Sequence, residues 1–265
     1  MIGIFMRSKL WIAYMAALLF SASSCVNMFE YSPYDSRYEN TLINVSAIEQ
    51  LLTRQKDDDT LRFGLIADSH NSFDELKTAI ALLNKENIRF IICLGDVADH
   101  GLAEEYELYK AYVEKSNVPV VTVIGNHDYR SNGKAIYEQM FGQRNFTISI
   151  DQYKFVVFDD VVWENGNQLP DFDWLERQYA DTLSTKILVT HIPPWDEQLT
   201  GDAVLRFNTI VNSSNTILSL HGHEHRPGGK QYNGIRSVVS GCLGDRLYTV
   251  VSLDGKKSQL KRVKF

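Results

Sequence analysis

The segment LRFGLIADSH, residues 61–70, carries the strongest fold signal in this chain. Residues 61–67, apolar apart from Arg62, have the composition of a buried strand, and the polar Asp68 and His70 follow directly. A capped helical pattern then begins near Ser72. The order of strand, polar loop and helix indicates an α/β fold.

The same alternation continues to the C-terminus. We expect further buried strands at 89–94, 118–124, 154–158, 186–189 and 216–220, and closing antiparallel strands at 234–240, 246–253 and 257–263. Helical patterns lie near 101–115, 133–141, 171–183 and 202–211. This arrangement predicts mixed sheets flanked by helices.

Composition sets limits on the class of protein and on its partners. The chain has 265 residues, of which 44% are hydrophobic and 23% charged, as in globular proteins with a sizeable core. Its net charge is −6, and the only basic cluster is a small one at 256–264. Because phosphate neutralisation by Lys and Arg dominates nucleic-acid binding, long nucleic acids are disfavoured as partners.

The N-terminus has the pattern of an export signal. Arg7 and Lys9 precede an apolar run at 10–20, and small residues at 21–24 lead to Cys25. We interpret residues 1–24 as a signal peptide of the lipoprotein type, with Cys25 lipidated. The protein would then be an exported, membrane-anchored lipoprotein, facing the periplasm in a Gram-negative cell. A plain cleaved signal, which gives a soluble secreted protein, and an uncleaved anchor are the alternatives.

Residues 25–60 are polar and are interpreted as a tether that contains one short helix, for which Ser46 and Glu49 form a capping box. The catalytic domain is expected at 61–265. Cys93 has the surroundings of a small buried hydrophobe, and a bridge between Cys93 and Cys242 stays open.

Polar groups follow five of the expected strands. All seven histidines of the chain lie in these five segments, which are Asp68-x-His70, Gly95-Asp96-x-x-Asp99-His100, Gly125-Asn126-His127-Asp128, His191 and His221-Gly222-His223-x-His225. Ligand sites of layered α/β folds form outside the carboxyl ends of strands.

The residue types favour a metal site. Imidazole, carboxylate and amide donors suit Mn, Fe, Zn or Ni, and residues two apart on an extended segment can face one ion together. A lone carboxylate such as Asp96 can bridge two ions. Each motif alone has a simple structural explanation, such as a turn or a helix cap for Gly95-Asp96. The specific signal is their ordered combination.

The five segments resemble, in order, the signature blocks of the calcineurin-like metallophosphoesterase superfamily, and they span residues 68–225. The resemblance implies a four-layer α/β/β/α sandwich of two mixed sheets flanked by helices, with a dinuclear site at the sheet edge. It also implies two divalent metal ions, with manganese as the first expectation.

The resemblance also implies a role for each matching residue. A first ion would be held by Asp68, His70 and His225, a second by Asn126, His191 and His223, and Asp96 would bridge both. His127 matches the histidine that protonates the leaving oxygen, and Asp99 matches the carboxylate that orients it.

Two departures from the resemblance restrict the activity. His100 stands where protein phosphatases carry an Arg that clamps phosphate, which argues against protein phosphatase activity. No Tyr stands near Asp99, so an iron–tyrosinate site is not expected. His221 lies outside the motif and is interpreted as a strand residue beside the site, with contact to a ligand as the alternative.

The leading hypothesis is a hydrolase that cleaves a phosphate mono- or diester, small or lipid-linked, through a bridging hydroxide nucleophile. Its rivals are a non-catalytic metal-binding lipoprotein and a nuclease of the same superfamily. Trp163 and Trp195 lie in loops that could reach over the site and set its specificity, or could simply pin those loops down.

Overall fold

The computed structural model describes residues 32–34, 41–54 and 60–265. The strands of this part are β1 (Leu61–Ile66), β2 (Phe90–Cys93), β3 (Val120–Thr122), β4 (Phe146–Ile150), β5 (Tyr153–Val157), β6 (Thr185–Val189), β7 (Thr216–His221), β8 (Gly228–Tyr232), β9 (Ile235–Val239), β10 (Leu247–Asp254) and β11 (Lys257–Lys264). The helices are α1 (Ile43–Thr53), α2 (Phe73–Leu83), α3 (Ala103–Val113), α4 (Gly133–Phe141), α5 (Phe172–Tyr179) and α6 (Gly201–Asn212). Short 3₁₀ turns span His127–Tyr129 and Leu243–Asp245.

These strands form two mixed sheets. The first has five strands in the order β11-β10-β1-β2-β3, in which β1, β2 and β3 are parallel and β10 and β11 are antiparallel. The second has six strands in the order β4-β5-β6-β7-β9-β8, in which β5, β6, β7 and β9 are parallel and the two edge strands are antiparallel.

Three buried clusters separate four layers. One cluster lies between the first sheet and helices α2, α3 and α4, and a second lies between the two sheets. The third lies between the second sheet and helices α5 and α6. Successive side chains of a strand point to opposite faces of the sheet, so one strand contributes to two clusters. In β2, Ile91 faces the helices and its neighbour Ile92 faces the other sheet. The predicted α/β/β/α sandwich is confirmed.

The interface between the two sheets contains packed aromatic rings. Phe63 and Phe90 stack at 5.1 Å between ring centroids, and Phe155 of the second sheet meets Phe63 edge-on at 5.4 Å. All three rings are fully buried, and burial of each contributes roughly 1.5–3 kcal/mol. This contact fixes the two sheets against each other.

Helix α1 belongs to the compact unit that runs from Tyr34 to Phe265. Asn44 of this helix donates to the Thr122 carbonyl and accepts from the Thr122 amide, both at 2.8 Å, and Leu51 is fully buried. The helix therefore supplies hydrogen bonds to β3, which is an edge strand. Residues 25–60 thus contain the expected helix, and it packs on the domain.

Two local expectations were wrong, and two strands were missed. Strand β9, expected among the closing antiparallel strands, is antiparallel to β8 but parallel to β7. Helix α1 begins at Ile43, so Ser46 lies inside it and its hydroxyl accepts from Gln50 rather than capping the first turn. Strands β4 and β8 were not expected. Both lie at edges of the second sheet, and β8 begins with two glycines and is mostly exposed, so it lacks a hydrophobic pattern.

The export signal and Cys25 lie outside the described residues, and both stay predictions. Among the helices that the structure does describe, none is long and apolar enough to cross a membrane. Cys93 and Cys242 are free thiols, and Cys93 is fully buried, as expected.

Candidate metal centre

The carboxyl ends of five strands converge on one site. Strands β1, β2 and β3 supply the segments with Asp68, Asp96 and Asn126, and strands β6 and β7 supply the segments with His191 and His223. Because the contributing strands are parallel within each sheet, their carboxyl ends meet at one edge of each sheet. The five segments predicted from the sequence therefore come together.

Backbone strain is concentrated in these segments. Five residues adopt φ between 41° and 69°, a region that non-glycine residues rarely occupy, and they are Asp68, His70, Asp96, His223 and His225. Each such residue costs of order 1–3 kcal/mol, and strain of this kind persists where the surrounding structure holds the backbone for function.

Two glycines allow the segments to approach each other. A Cβ on Gly125 would lie 2.2 Å from Asp96 Oδ1, and a Cβ on Gly95 would lie 2.6 Å from His191 Nδ1. Gly95 also has φ of +96°. Any side chain at these positions would displace a candidate ligand.

The first group of candidate ligands comprises Asp68, His70, Asp96 and His225, whose donor atoms all lie within 4.8 Å of one another. His70 Nε2 lies 3.3 Å from His225 Nε2 and 3.8 Å from Asp96 Oδ2. His225 Nε2 lies 3.7 Å from Asp68 Oδ1. Two imidazoles and two carboxylates thus surround one position.

The second group comprises Asp96, His191 and His223, also within 4.8 Å of one another. Asn126 completes it, since its Oδ1 lies 3.1 Å from His191 Nε2 and 3.0 Å from His223 Nδ1. Asp96 Oδ2 lies 3.2 Å from His191 Nε2. The carboxylate of Asp96 therefore belongs to both groups.

The chemistry of these donors fits divalent cations. His191 Nδ1 donates to the Leu94 carbonyl at 2.7 Å, which leaves the lone pair of Nε2 directed toward Asp96 and Asn126. Asp68 Oδ2 is buried and, among the described residues, has no hydrogen-bond partner. An unpaired buried carboxylate oxygen is costly, and a cation would satisfy it.

Burial and neighbouring charges shift the pKa values of three candidate ligands. Burial raises the pKa of Asp68 to about 6, although the neighbouring His191 opposes the rise. Burial alone would also raise the pKa of Asp96, but His191, with His127 and His70, holds it well below its usual range. Asp96 in turn raises the pKa of His191 against the effect of burial. Asp96 and His191 thus each favour the charged form of the other.

His127 lies beside the two groups. Its Nδ1 is 3.2 Å from Asp99 Oδ1 and 3.1 Å from the Asp99 carbonyl oxygen, and its backbone amide donates to Asp96 Oδ1 at 2.8 Å. Both neighbours of Nδ1 are acceptors, so Nδ1 carries the proton in the neutral ring. This is the relationship that the resemblance implied for the pair.

The two remaining histidines make other contacts. His221 is buried, with Nδ1 at 2.9 Å from the Thr190 hydroxyl and Nε2 at 2.7 Å from the Ser219 hydroxyl. Burial lowers its pKa to about 3, so the ring is neutral and both nitrogens are engaged. His100 is exposed and lies 3.5 Å from Asp99 Oδ2.

Sequence reasoning missed three acidic residues that contact this site. Asp128 accepts from the amides of Ala98 and Gly125, at 3.0 and 2.8 Å, and so joins two of the segments. Glu164 accepts from Asn126 Nδ2, and Asp196 lies beside His223. The position of Asp128 within a signature block was an available signal, whereas nothing local marks Glu164 or Asp196.

The two loop tryptophans differ in their surroundings. Trp163 is half-exposed, and its neighbour Glu164 reaches the site. Trp195 donates from Nε1 to Glu224, which lies between His223 and His225, and Lys230 Nζ lies 4.1 Å from the centroid of the Trp195 ring. Trp195 is thus pinned beside the segment that follows β7.

The fold and the site define a class of protein, and the chain belongs to the calcineurin-like phosphoesterase family, whose model matches residues 61–227. The family prediction is confirmed. A zebrafish (Danio rerio) dimetal phosphatase has a similar fold, with a TM-score of 0.62 at 14% identity over 77% of this chain and 97% of its own.

Two relatives have names that refer to phosphoester chemistry. A probable glycerophosphodiester phosphodiesterase of Arcobacter nitrofigilis is 28% identical over 162 residues, which cover 55% of this chain and 59% of that protein. The serine/threonine-protein phosphatase CPPED1 of Homo sapiens is 26% identical over 232 residues, which cover 70% of this chain and 73% of that protein. The match spans less than two thirds of the length of the first relative.

Proposed function

We propose that this chain hydrolyses a phosphate mono- or diester at a dinuclear metal centre, with a hydroxide held between the two ions as the nucleophile. The observation that carries the proposal is the position of Asp96, whose Oδ2 lies 3.2 Å from His191 Nε2 and 3.8 Å from His70 Nε2. One carboxylate thus contacts both groups of candidate ligands, as a bridging ligand must.

Each cation position has its own ligands in this proposal. The first is held by Asp68, His70 and His225, the second by Asn126, His191 and His223, and both by Asp96. When bound there, two such cations would lower the pKa of a coordinated water and would neutralise charge on the phosphoryl group. The donors are imidazole, carboxylate and amide rather than thiolate, which suits Mn, Fe, Zn or Ni, and manganese is our first choice among these.

His127 is the proposed general acid. With Nδ1 bonded to Asp99, its Nε2 is free to carry a proton to the departing oxygen. The Asp99 carboxylate fixes the orientation of the ring.

The proposed substrate is a small or lipid-linked phosphoester. The names of the two relatives, a glycerophosphodiester phosphodiesterase and a serine/threonine-protein phosphatase, support a phosphoester bond as the target. The net negative charge of the chain disfavours long nucleic acids. Export as a lipoprotein anchored through Cys25 would place the site at a membrane surface. Fatty-acid labelling that is lost in Cys25→Ser tests the anchor.

Hydrolysis of p-nitrophenyl phosphate and bis-p-nitrophenyl phosphate, with and without Mn²⁺, tests the proposal. We expect Mn²⁺-dependent turnover of at least one ester, reduced about 100-fold or more in Asp96→Asn because the ligand shared by both positions is weakened. Glu197→Ala, an exposed change near the site, is the control and should keep its activity. If the folded protein hydrolysed neither ester with Mn²⁺, Zn²⁺, Fe²⁺ or Ni²⁺, the hypothesis of a non-catalytic metal-binding lipoprotein would replace the proposed phosphoesterase.

A further inference from the structure

Two carboxylates on loops contact candidate ligands of the second cation position. They do so through the ligand atoms that face away from the proposed cation. Glu164 Oε1 accepts from Asn126 Nδ2 at 2.8 Å. A carboxylate can only accept, so the amide nitrogen of Asn126 must face Glu164, and its Oδ1 faces His191 and His223. Glu164 thereby fixes which end of the amide is available to a cation.

Asp196 acts on His223 in the corresponding way. Its Oδ2 lies 3.4 Å from His223 Nε2, while His223 Nδ1 lies 3.0 Å from Asn126 Oδ1. A carboxylate at Nε2 favours the tautomer with the proton there, which leaves the lone pair of Nδ1 directed into the site.

The two positions differ in charge. The first is surrounded by two carboxylates, Asp68 and Asp96. The second has three neutral donors and only the shared carboxylate of Asp96. Glu164 and Asp196 add negative charge at this poorer position, and Glu164 Oε2 is buried with no hydrogen-bond partner among the described residues. This placement compensates for the missing ligand charge.

A buried glutamine connects the two loops. Gln198 Oε1 accepts from the amides of Val162 and Trp163, at 3.0 and 3.2 Å, next to Glu164. Its backbone amide donates to Asp196 Oδ1 at 3.0 Å. Gln198 therefore holds both carboxylates in one arrangement.

We propose that Glu164 and Asp196 are positioning residues that set the affinity of the second cation position, acting through Asn126 and His223. This inference rests on the proposed function, since it requires two cation positions in one site. Neither residue contacts the reacting atoms in this scheme. Their effect is on ligand orientation and on local charge.

The test is Mn²⁺ binding to the metal-free full-length chain, measured by equilibrium dialysis and by the paramagnetic resonance of free Mn²⁺. We expect two ions per unsubstituted chain. Glu164→Ala and Asp196→Ala should each weaken one of the two affinities by about 10–100-fold and leave the other within about threefold. Glu197→Ala, which alters an exposed neighbour of Asp196, should bind as the unsubstituted chain does.

Glu164→Gln separates orientation from charge, because the Gln amide oxygen can still accept from Asn126. The Mn²⁺ affinity should therefore fall less in Glu164→Gln than in Glu164→Ala. Unchanged affinities in both alanine variants, or equal weakening of both positions in a folded protein, would overturn the inference. If the alanine variants did not fold, Glu164→Gln and Asp196→Asn would decide: weakening of one of the two affinities would support the inference, and two unchanged affinities would overturn it. Fewer than two ions on the unsubstituted chain would instead overturn the dinuclear proposal, and the inference with it.

Discussion

His127 Nδ1 lies 3.2 Å from Asp99 Oδ1, and this contact joins the segments that follow β2 and β3 at the edge of the candidate metal centre. The pair is partly exposed to solvent, unlike the buried Asp68 and Asp96. A substrate that enters from solvent can therefore reach His127, as it can the more exposed candidate ligand His225. Under the proposed function, this exposure suits proton transfer from His127 to the departing oxygen.

Asp99→Asn tests this role. The variant keeps the side-chain size but loses the charge of the acceptor that orients His127 through Nδ1, so we expect kcat to fall about 10–100-fold. His100→Ala, which alters the exposed neighbour of the same carboxylate, should keep kcat within about threefold. An unchanged kcat in Asp99→Asn would remove the carboxylate from the mechanism.

Gly125→Ala should disrupt the candidate metal centre by steric clash. The added Cβ would lie 2.2 Å from Asp96 Oδ1 and 2.4 Å from the Asp96 backbone nitrogen, and backbone atoms cannot move aside cheaply. We expect loss of Mn²⁺ binding and a decrease of about 1–3 kcal/mol in the free energy of unfolding.

Gly228→Ala is the matched control, since its Cβ would meet nothing closer than 3.9 Å. Urea unfolding and Mn²⁺ titration of the two variants give the comparison. Equal behaviour of both would mean that the close approach of Gly125 to Asp96 is unimportant.

Asp160 should make stability depend on pH. Burial raises its pKa to about 7, above the usual 3.8, so the folded state binds a proton that the unfolded state releases between these values. The contribution of this carboxyl to the free energy of unfolding is therefore favourable at low pH and is lost as pH rises from about 4 to 7.

Asp160→Asn removes this titration. Relative to the unsubstituted chain, the variant should gain about 1–3 kcal/mol in the free energy of unfolding between pH 5 and pH 8. Urea unfolding at the two pH values measures this difference. Asp254→Asn, an exposed change at the end of β10, should show no such gain. A constant difference between Asp160→Asn and the parent at both pH values would contradict the account.

Much of the site could be predicted because its ligands follow apolar strands at short spacing. Asp68 and Asp96 each come within three residues of the end of a buried strand, so local patterns placed them at one sheet edge. Glu164 and Asp196 lie in long loops, and only the tertiary packing through Gln198 brings them to Asn126 and His223. No local signal distinguishes such carboxylates from ordinary loop residues.

In the fold, too, some features follow from local sequence patterns and others from tertiary packing. The buried strands and their order of layers follow from short apolar runs, whereas β8, exposed and glycine-rich, forms only because β9 offers it a partner. The start of α1 was misplaced because the Ser46 capping pattern competed with a helix whose true anchor is Asn44. That anchor acts through Thr122, 78 residues away in the chain.

Asn44→Ala tests the anchor. It would leave the buried amide of Thr122 without its side-chain partner, while the Thr122 carbonyl would keep the hydroxyl of Tyr137, so we expect the free energy of unfolding to fall by about 1–3 kcal/mol. Gln50→Ala removes an exposed hydrogen bond on the same helix and should change it by less than about 0.5 kcal/mol. Similar small effects of both changes would show that α1 contributes little to the domain.

A crystal structure of the protein grown with Mn²⁺, with anomalous scattering recorded at the manganese edge, tests the bridging role of Asp96. We predict two anomalous peaks about 3.5–4 Å apart, with the Asp96 carboxylate contacting both ions. A single peak at full Mn²⁺ occupancy, or two ions of which Asp96 touches only one, would contradict the proposed dinuclear centre.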